Sequence, residues 1–164
     1  MNELARLQPL IIGIGNPLRS DDGLGWAVTE HLFRDCITGY DIQTVHQLTP
    51  ELAQSMATAH LVVMIDASRE GKPGEMSIRL LSLPAQQSSA STHFTTPEEL
   101  VLLTSAVYGQ CPPVILVTLV GEDFSIGERL SSTVAANIPI VSMAVRQLCA
   151  ESFPLRWSKM SLND

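Results

Sequence analysis

The chain has 164 residues, of which 45% are hydrophobic and 16% charged, so it can bury the core of one ordinary domain and is not expected to be disordered. Its net charge of −7 argues against nucleic acid or an anionic membrane surface as its main partner. Its three cysteines have no CxxC or CxxH spacing, which argues against a disulfide framework or a thiolate zinc site and favours a reducing cytoplasm.

No apolar run is expected to approach the roughly 20 residues that span a bilayer. The segment "MNELARLQPLIIGIG" has an apolar stretch, but Glu3 lies where a signal peptide carries positive charge, and the stretch runs directly into a glycine turn. We therefore expect a first strand here, in a cytoplasmic protein with no membrane partner.

The first half of the chain predicts three strands and two helices. The apolar run Leu10–Gly15 is typical of a buried parallel strand, and apolar residues at helical spacing predict a helix from Gly23 to Arg34. The stretches "YDIQTVHQL" and "HLVVMIDA" predict the second and third strands. Between them, Thr49 as N-cap and Pro50 in the first helical position predict a second helix.

The second half predicts two strands and two helices. After the turn "GKPG", the alternation in "EMSIRLLSL" predicts a half-exposed edge strand, and the polar stretch Pro84–Ser91 predicts a loop. "TPEE", beginning at Thr96, combines an N-cap, a first-position proline and a capping-box glutamate, which predicts a helix to about Tyr108. "PVILVTLVG" predicts the fifth strand.

The last helix is predicted from apolar residues at spacings of four and three. Pro139 lies inside this pattern, so we expect it to kink the helix or delay its start. The apolar residues are Val134, Ile138, Val141, Val145 and Leu148.

Alternating strands and helices predict a single α/β domain over residues 1–164. We expect a three-layer α/β/α arrangement around a mostly parallel, twisted sheet of about five strands, with an antiparallel edge strand. Ligands of such sheets bind at the carboxyl ends of the strands. The residues expected there are Asn16 to Asp22, His46 to Thr49, Asp66 at the end of the third strand, His93, Glu122 and Asp123.

The stretch "IIGIGNPLRSDDGLGWAVTEHL" looks at first like a nucleotide-binding turn. A dinucleotide fingerprint needs a glycine where Leu18 stands, the chain has no Walker A lysine, and Asp21 and Asp22 would face the phosphate. A nucleotide-binding regulator is therefore disfavoured. The two aspartates can instead begin a helix, one as a cap and one at the positive end of the dipole, although this explains Asp22 less well.

Asp66 is harder to explain by packing alone, because an unpaired carboxylate at the end of an apolar strand is costly. If it shares the rim with Asp22, the two repel unless a proton or a cation lies between them. Two carboxylates and a neutral imidazole suit nickel, zinc or iron. His93, in polar sequence before a helix, is a candidate third ligand or an ordinary solvated residue; His46 is the substitute, and His31 and His60 are weaker candidates.

Four stretches together resemble the hydrogenase maturation endopeptidases, which trim a C-terminal extension from the large-subunit precursor of nickel–iron hydrogenases. They are "GIGNPLRSDDGLG", "VVMIDA", "STHFTTPEELV" and "LVG…GERLSSTV", and the likeness spans nearly the whole chain. Some members have glutamate at the position of Asp22, and some have a "GGT" stretch where this chain has "HQLTPEL". The latter resembles a branch that serves bidirectional, NAD-linked hydrogenases.

The resemblance implies a metal site formed by Asp22, Asp66 and His93, with nickel supplied by the hydrogenase large-subunit precursor. It implies recognition by all three residues and possible base chemistry at Asp22 or Asp66, with Asn16 and Asp21 either supporting those residues or holding the turn. The expected partner is that precursor, bound transiently by a monomer. The alternative is a non-enzymatic nickel-sensing chaperone or metal carrier that uses the same cluster.

Overall fold

The computed structural model describes residues 8–35, 39–82 and 95–151. The predicted loop Pro84–Ser91, His93 and Cys36 lie outside these ranges. The elements are β1 (Leu10–Ile14), a 3₁₀ turn (Ser20–Gly23), α1 (Leu24–Arg34), β2 (Asp41–Val45), α2 (Leu52–Thr58), β3 (Val62–Ser68), β4 (Met76–Leu81), α3 (Pro97–Tyr108), β5 (Val114–Val120) and α4 (Ser132–Ala150).

The strands form one five-stranded sheet in the order β2-β1-β3-β5-β4. β2, β1, β3 and β5 are parallel, and β4 pairs antiparallel with β5 at one edge. This confirms the predicted mostly parallel sheet with an antiparallel edge strand. The carboxyl ends of the four parallel strands therefore lie along one rim.

Helices cover both faces of the sheet. Ile11 and Val63 point into a core shared with α1 and α4, whereas the neighbouring Leu10 and Val62 point into a second core shared with α2 and α3. Because both faces are buried, the central strands read as continuous apolar runs without polar alternation. The three-layer arrangement agrees with the prediction.

Two small residues set how closely α1 approaches the sheet. A Cβ on Gly25 would overlap the backbone of Ile14 and lie 2.8 Å from the Ile65 carbonyl oxygen. A Cβ on Gly13 would in turn overlap the Gly25 carbonyl. The first turn of α1 thus rests directly on the carboxyl ends of β1 and β3, which brings the residues before α1 to the rim.

The predicted start of the second helix is wrong. Leu52 N–H donates to the Thr49 carbonyl and Ala53 N–H to the Pro50 carbonyl, both at 3.1 Å, so Thr49 to Glu51 form a tight turn. α2 begins only at Leu52, and Thr49 is not its cap. The second strand is also shorter than predicted, because pairing with β1 ends at Val45.

The predicted third helix is confirmed, with a complete capping box between Thr96 and Glu99. The expected delay of the last helix is wrong: Ser131 caps α4 through the Val134 N–H at 3.2 Å, and the helix runs through Pro139. Proline removes the donor to the Ala135 carbonyl, but both residues are exposed, so water can reach that oxygen.

α4 also corrects the expectation that no segment has the length and composition of a membrane span. It has 19 residues with a mean hydropathy of 1.2, and within the described ranges it alone meets those two criteria. Its residues Val134, Ile138, Val141 and Val145 are buried in the core beside α1, whereas most of the helix is not buried.

Candidate active site

Asp22 lies in the tight turn that connects β1 with α1. The backbone at Gly15 has φ +129, and a Cβ there would overlap the Asp22 carbonyl, so only glycine fits this return of the chain. Asp22 Oδ2 accepts the Asn16 N–H at 2.9 Å, and Asn16 Oδ1 accepts the Leu18 N–H at 2.9 Å. Asn16 therefore holds the turn and orients the Asp22 carboxylate, as predicted.

Asp66 lies in β3, and the strand continues two residues beyond it because Asp66 and Ser68 pair with Thr118 and Val120 of β5. Its Oδ1 accepts the Ala67 N–H at 2.8 Å. Burial and the nearby negative charge of Asp22 outweigh this hydrogen bond and raise the pKa of Asp66 to about 7. The structure thus brings Asp22 and Asp66 close enough for their charges to interact.

Such a pair can hold and transfer a proton near neutral pH, because Asp66 is divided between its two protonation states there. A divalent cation between the carboxylates would relieve the same repulsion and displace the proton. The site is therefore suited to general acid–base chemistry, to binding a cation, or to both in sequence.

Asp21 has a different environment from its neighbour. Its side chain is completely buried, and it accepts the backbone N–H groups of Glu122 (2.7 Å), Asp123 (2.9 Å) and Ser131 (2.7 Å). Burial disfavours the charged form, but these hydrogen bonds outweigh burial and lower the pKa of Asp21. Asp21 thus ties the turn to the loop between β5 and α4, which confirms its turn-holding role.

The predicted capping role of one of the two aspartates is wrong, although both lie in the first turn of the 3₁₀ segment. Neither the 3₁₀ turn nor α1 has a side-chain hydrogen bond at its N-cap. Sequence reasoning missed the partners of Asp21 because they lie more than 100 residues further along the chain. The available signal was the pair of adjacent aspartates, one more than a helix start needs.

The other acids expected at the rim have local partners. The Glu122 carboxylate accepts the Thr133 hydroxyl at 2.9 Å, and Asp123 accepts the Ser125 N–H at 2.9 Å. Both residues serve the site through their backbone N–H groups, which bind Asp21.

The described histidines lie where the sequence placed them. His46 follows β2 at the rim, with its ring centre 5.1 Å from that of Trp26. His60 precedes β3 at the opposite end of the sheet, and His31 lies in α1 with Nδ1 3.9 Å from Asp35. Within residues 8–35, 39–82 and 95–151, no three His, Cys, Asp or Glu side chains are grouped to hold a metal ion.

Two further groups at this end of the sheet were not anticipated. The Phe124 ring packs so closely against Gly121 that a Cβ added at this glycine would overlap it. The Arg69 guanidinium lies 4.1 Å from the centre of the same ring. Arg69 comes three residues after Asp66, so it brings a positive charge to the end of the sheet that carries the carboxylate pair. Its position directly after a buried strand was the signal available in the sequence.

The described cysteines are not activated thiols. Burial raises the pKa of Cys149 to about 12 and also raises the pKa of Cys111. Both therefore remain protonated at neutral pH, in agreement with the sequence interpretation.

Comparison with known proteins gives structural matches. No family model matches the sequence, and no curated protein matches it. The structure is similar to NiFe hydrogenase maturation protease HycI from Thermococcus kodakarensis, with a TM-score of 0.70 and 21% identity over 87% of this chain and 92% of the other. The fold is that of the hydrogenase maturation proteases.

Two further hydrogenase maturation proteases support this. HybD from Thermococcus kodakarensis matches with a TM-score of 0.68 and 24% identity over 87% of this chain and 99% of the other. HybD from Escherichia coli matches with a TM-score of 0.69 and 24% identity over 89% of this chain and 94% of the other. These likenesses show the fold that the sequence resemblance implies, while the NAD-linked branch stays a prediction.

Proposed function

We propose that this protein is an endopeptidase of hydrogenase maturation, which removes the C-terminal extension of a nickel-loaded large-subunit precursor. The observation that carries this proposal is the charge coupling of Asp22 and Asp66 at the carboxyl rim of a maturation-protease fold. We further propose that the protein is a cytoplasmic monomer that docks transiently on the precursor and has no nucleic acid or membrane partner.

In the proposed reaction the carboxylate pair manages the proton of the attacking water. Water adds to the scissile carbonyl carbon while an ionised carboxylate of Asp22 or Asp66 accepts its proton; that proton then passes to the departing amine as the peptide C–N bond breaks. A pKa of about 7 suits Asp66 to both steps, since it can take up and release a proton near neutral pH.

The nickel ion of this proposal belongs to the substrate. Asp22 and Asp66 supply two oxygen ligands, and His93, which lies outside the described residues, is the predicted nitrogen ligand. Loaded precursor is favoured because its positive charge relieves the repulsion between the carboxylates, whereas unloaded precursor leaves that repulsion in place.

Mass spectrometry of a nickel-loaded hydrogenase precursor incubated with the protein tests this function. We expect loss of the C-terminal extension, and processing should slow by about 100-fold or more in Asp22→Asn and Asp66→Asn. Glu51→Gln, which neutralises an exposed acid just before α2, is the matched control and should process at the parental rate.

Two outcomes would contradict the enzyme. Metal-dependent binding without a change in precursor mass would indicate the nickel-sensing chaperone, and parental processing by both site variants would remove their catalytic role. His93→Ala should weaken binding of the loaded precursor, and unchanged affinity would refute its role as a ligand.

A further inference from the structure

A groove of about 830 Å³ lies beside α1 and is separate from the carboxylate pair. It is lined by Pro17 and Gly23 of the turn before α1, by Trp26 and Phe33 of α1, and by Ile42 of β2. We call it the β2 groove. Phe33 is 76% exposed, which is unusual for a large aromatic side chain.

The β2 groove leads to the candidate active site. Pro17 and Gly23 belong to the turn that carries Asp22. At the same end, the Trp26 indole N–H donates to the Val45 carbonyl at 3.4 Å, at the carboxyl end of β2. A chain lying in the groove would therefore reach the rim beside Asp22.

The groove also follows an open sheet edge. β2 is the terminal strand, and within the described residues it pairs with β1 alone. Its five residues correspond to about 17 Å of extended chain. The backbone polar groups on its outer side can pair with an added strand, a common mode of peptide recognition.

The charged lining of the groove is acidic. Among the described residues it includes Glu30, Asp41 and Glu128 but no lysine, arginine or histidine. Glu30 already pairs with Arg34 at 2.6 Å, so the negative potential comes mainly from Asp41 and Glu128. An extended chain with basic side chains matches this lining, and an acidic one would be repelled.

We propose that the β2 groove binds an extended, basic and apolar segment of the polypeptide substrate, and so directs the adjoining peptide bond to Asp22 and Asp66. The apolar side chains of this segment contact Trp26 and Phe33, and its backbone extends the sheet at β2. The proposal rests on the endopeptidase function for its substrate but predicts peptide binding that does not require cleavage.

Fluorescence anisotropy with two labelled peptides of about ten residues tests the binding. One alternates valine with lysine, and the matched peptide alternates valine with glutamate. We expect the lysine peptide to bind, with an affinity that falls as salt rises from about 50 to about 300 mM, and the glutamate peptide not to bind. Equal binding of the two peptides would overturn the proposal.

Matched variants locate the binding. Asp41→Asn with Glu128→Gln should lower the affinity for the lysine peptide by about fivefold or more. Glu51→Gln with Glu98→Gln makes the same charge change on the opposite face of the sheet, and its affinity should stay within about twofold of the parent's. Phe33→Ala should weaken binding by about threefold, and Val107→Ala, also an exposed apolar side chain, should not. If only the control variants lost binding, the proposal that the peptide binds in the β2 groove would be contradicted.

Processing kinetics separate this proposal from the function itself. If the precursor is cleaved, Asp41→Asn with Glu128→Gln should raise KM with little change in kcat. An unchanged KM would overturn the proposal that the β2 groove binds the substrate, but not the endopeptidase function. If the precursor is not cleaved but the lysine peptide still binds, the function fails and the groove stands. A dimer that Phe33→Ala dissociates would assign the groove to a second copy and overturn the proposal.

Discussion

Asp21 and Asp22 are adjacent in the sequence but differ in their exposure to solvent. The Asp21 carboxylate is fully buried, and both of its oxygens accept backbone N–H groups, so it is stable as an anion and unavailable to a ligand. The Asp22 carboxylate is only partly buried and lies near Asp66. One residue fixes the turn, and the other is left for chemistry.

The raised pKa of Asp66 predicts the pH dependence of stability in protein held free of metal by a chelator. The pKa is about 7 in the folded protein against an ordinary 3.8, so the folded state binds more protons between these values. The Asp66 contribution therefore lowers the free energy of unfolding as pH rises from about 4 to about 7, by about 1.4 kcal/mol per pKa unit and roughly 4 kcal/mol at most.

Urea unfolding at several pH values checks this prediction. Asp66→Asn cannot ionise, so it should gain stability relative to the parent across that window. Asp22→Asn should reduce the effect by removing one cause of the shift, and Asp41→Asn should leave it unchanged. A constant difference between Asp66→Asn and the parent at all pH values would contradict the assigned pKa.

At the scale of elements, the contact of α1 with the ends of β1 and β3 positions the site. Gly25 has no room for a Cβ beside Ile14 and Ile65, and this close approach fixes where the turn before α1 meets the rim. The Thr29 hydroxyl donates to the carbonyl oxygens of Gly25 and Trp26 at 3.0 and 2.8 Å, which satisfies a buried polar group at the same contact.

Gly25→Ala should destabilise the protein by about 3 kcal/mol or more, although alanine alone would favour the helix. Thermal or urea unfolding measures this loss, and Asp22-dependent activity should fall with it because the turn moves away from Asp66. Gly109→Ala is the control: its φ of +74 imposes strain, but a Cβ there meets nothing within 4 Å, so it should cost about 1 kcal/mol. An equal loss in the two variants would refute the steric explanation.

At the scale of the whole molecule, no large apolar surface is concentrated on one side of the described residues. The exposed large apolar side chains are spread over α1, β4, α3, α4 and two loops, as Phe33, Ile78 and Met143 illustrate. One side of α4 packs in the core, where Val141 and Val145 are fully buried, whereas Ile140 and Met143 on the same helix are exposed. Neither feature requires a second copy or a bilayer.

We expect sedimentation of a monomer of 17.8 kDa at about 10 µM, with no co-sedimentation with phospholipid vesicles. The net charge of −7 should further reduce contact with anionic vesicles. A concentration-dependent increase in mass, or vesicle binding that depends on Ile140 and Met143 of α4, would contradict this expectation.

The sequence by itself determined the features that depend on near neighbours. Runs such as Leu10–Ile14 could be recognised because a strand buried on both faces needs apolar residues throughout, and α3 because Thr96 and Glu99 form its capping box locally. Strand-end position also selected Asp22 and Asp66, since parallel strands bring their carboxyl ends to one rim.

Tertiary structure alone decided the features that depend on distant partners. The N–H groups that bury Asp21 come from residues 101 to 110 positions away, and pairing with β5 carries β3 beyond Asp66 to Ser68. The start of α2 was settled by a tight turn at Thr49 that competes with the cap. Each of these outcomes depends on the relative free energies of alternative contacts across the whole fold. Local residue preferences carry no information about those contacts.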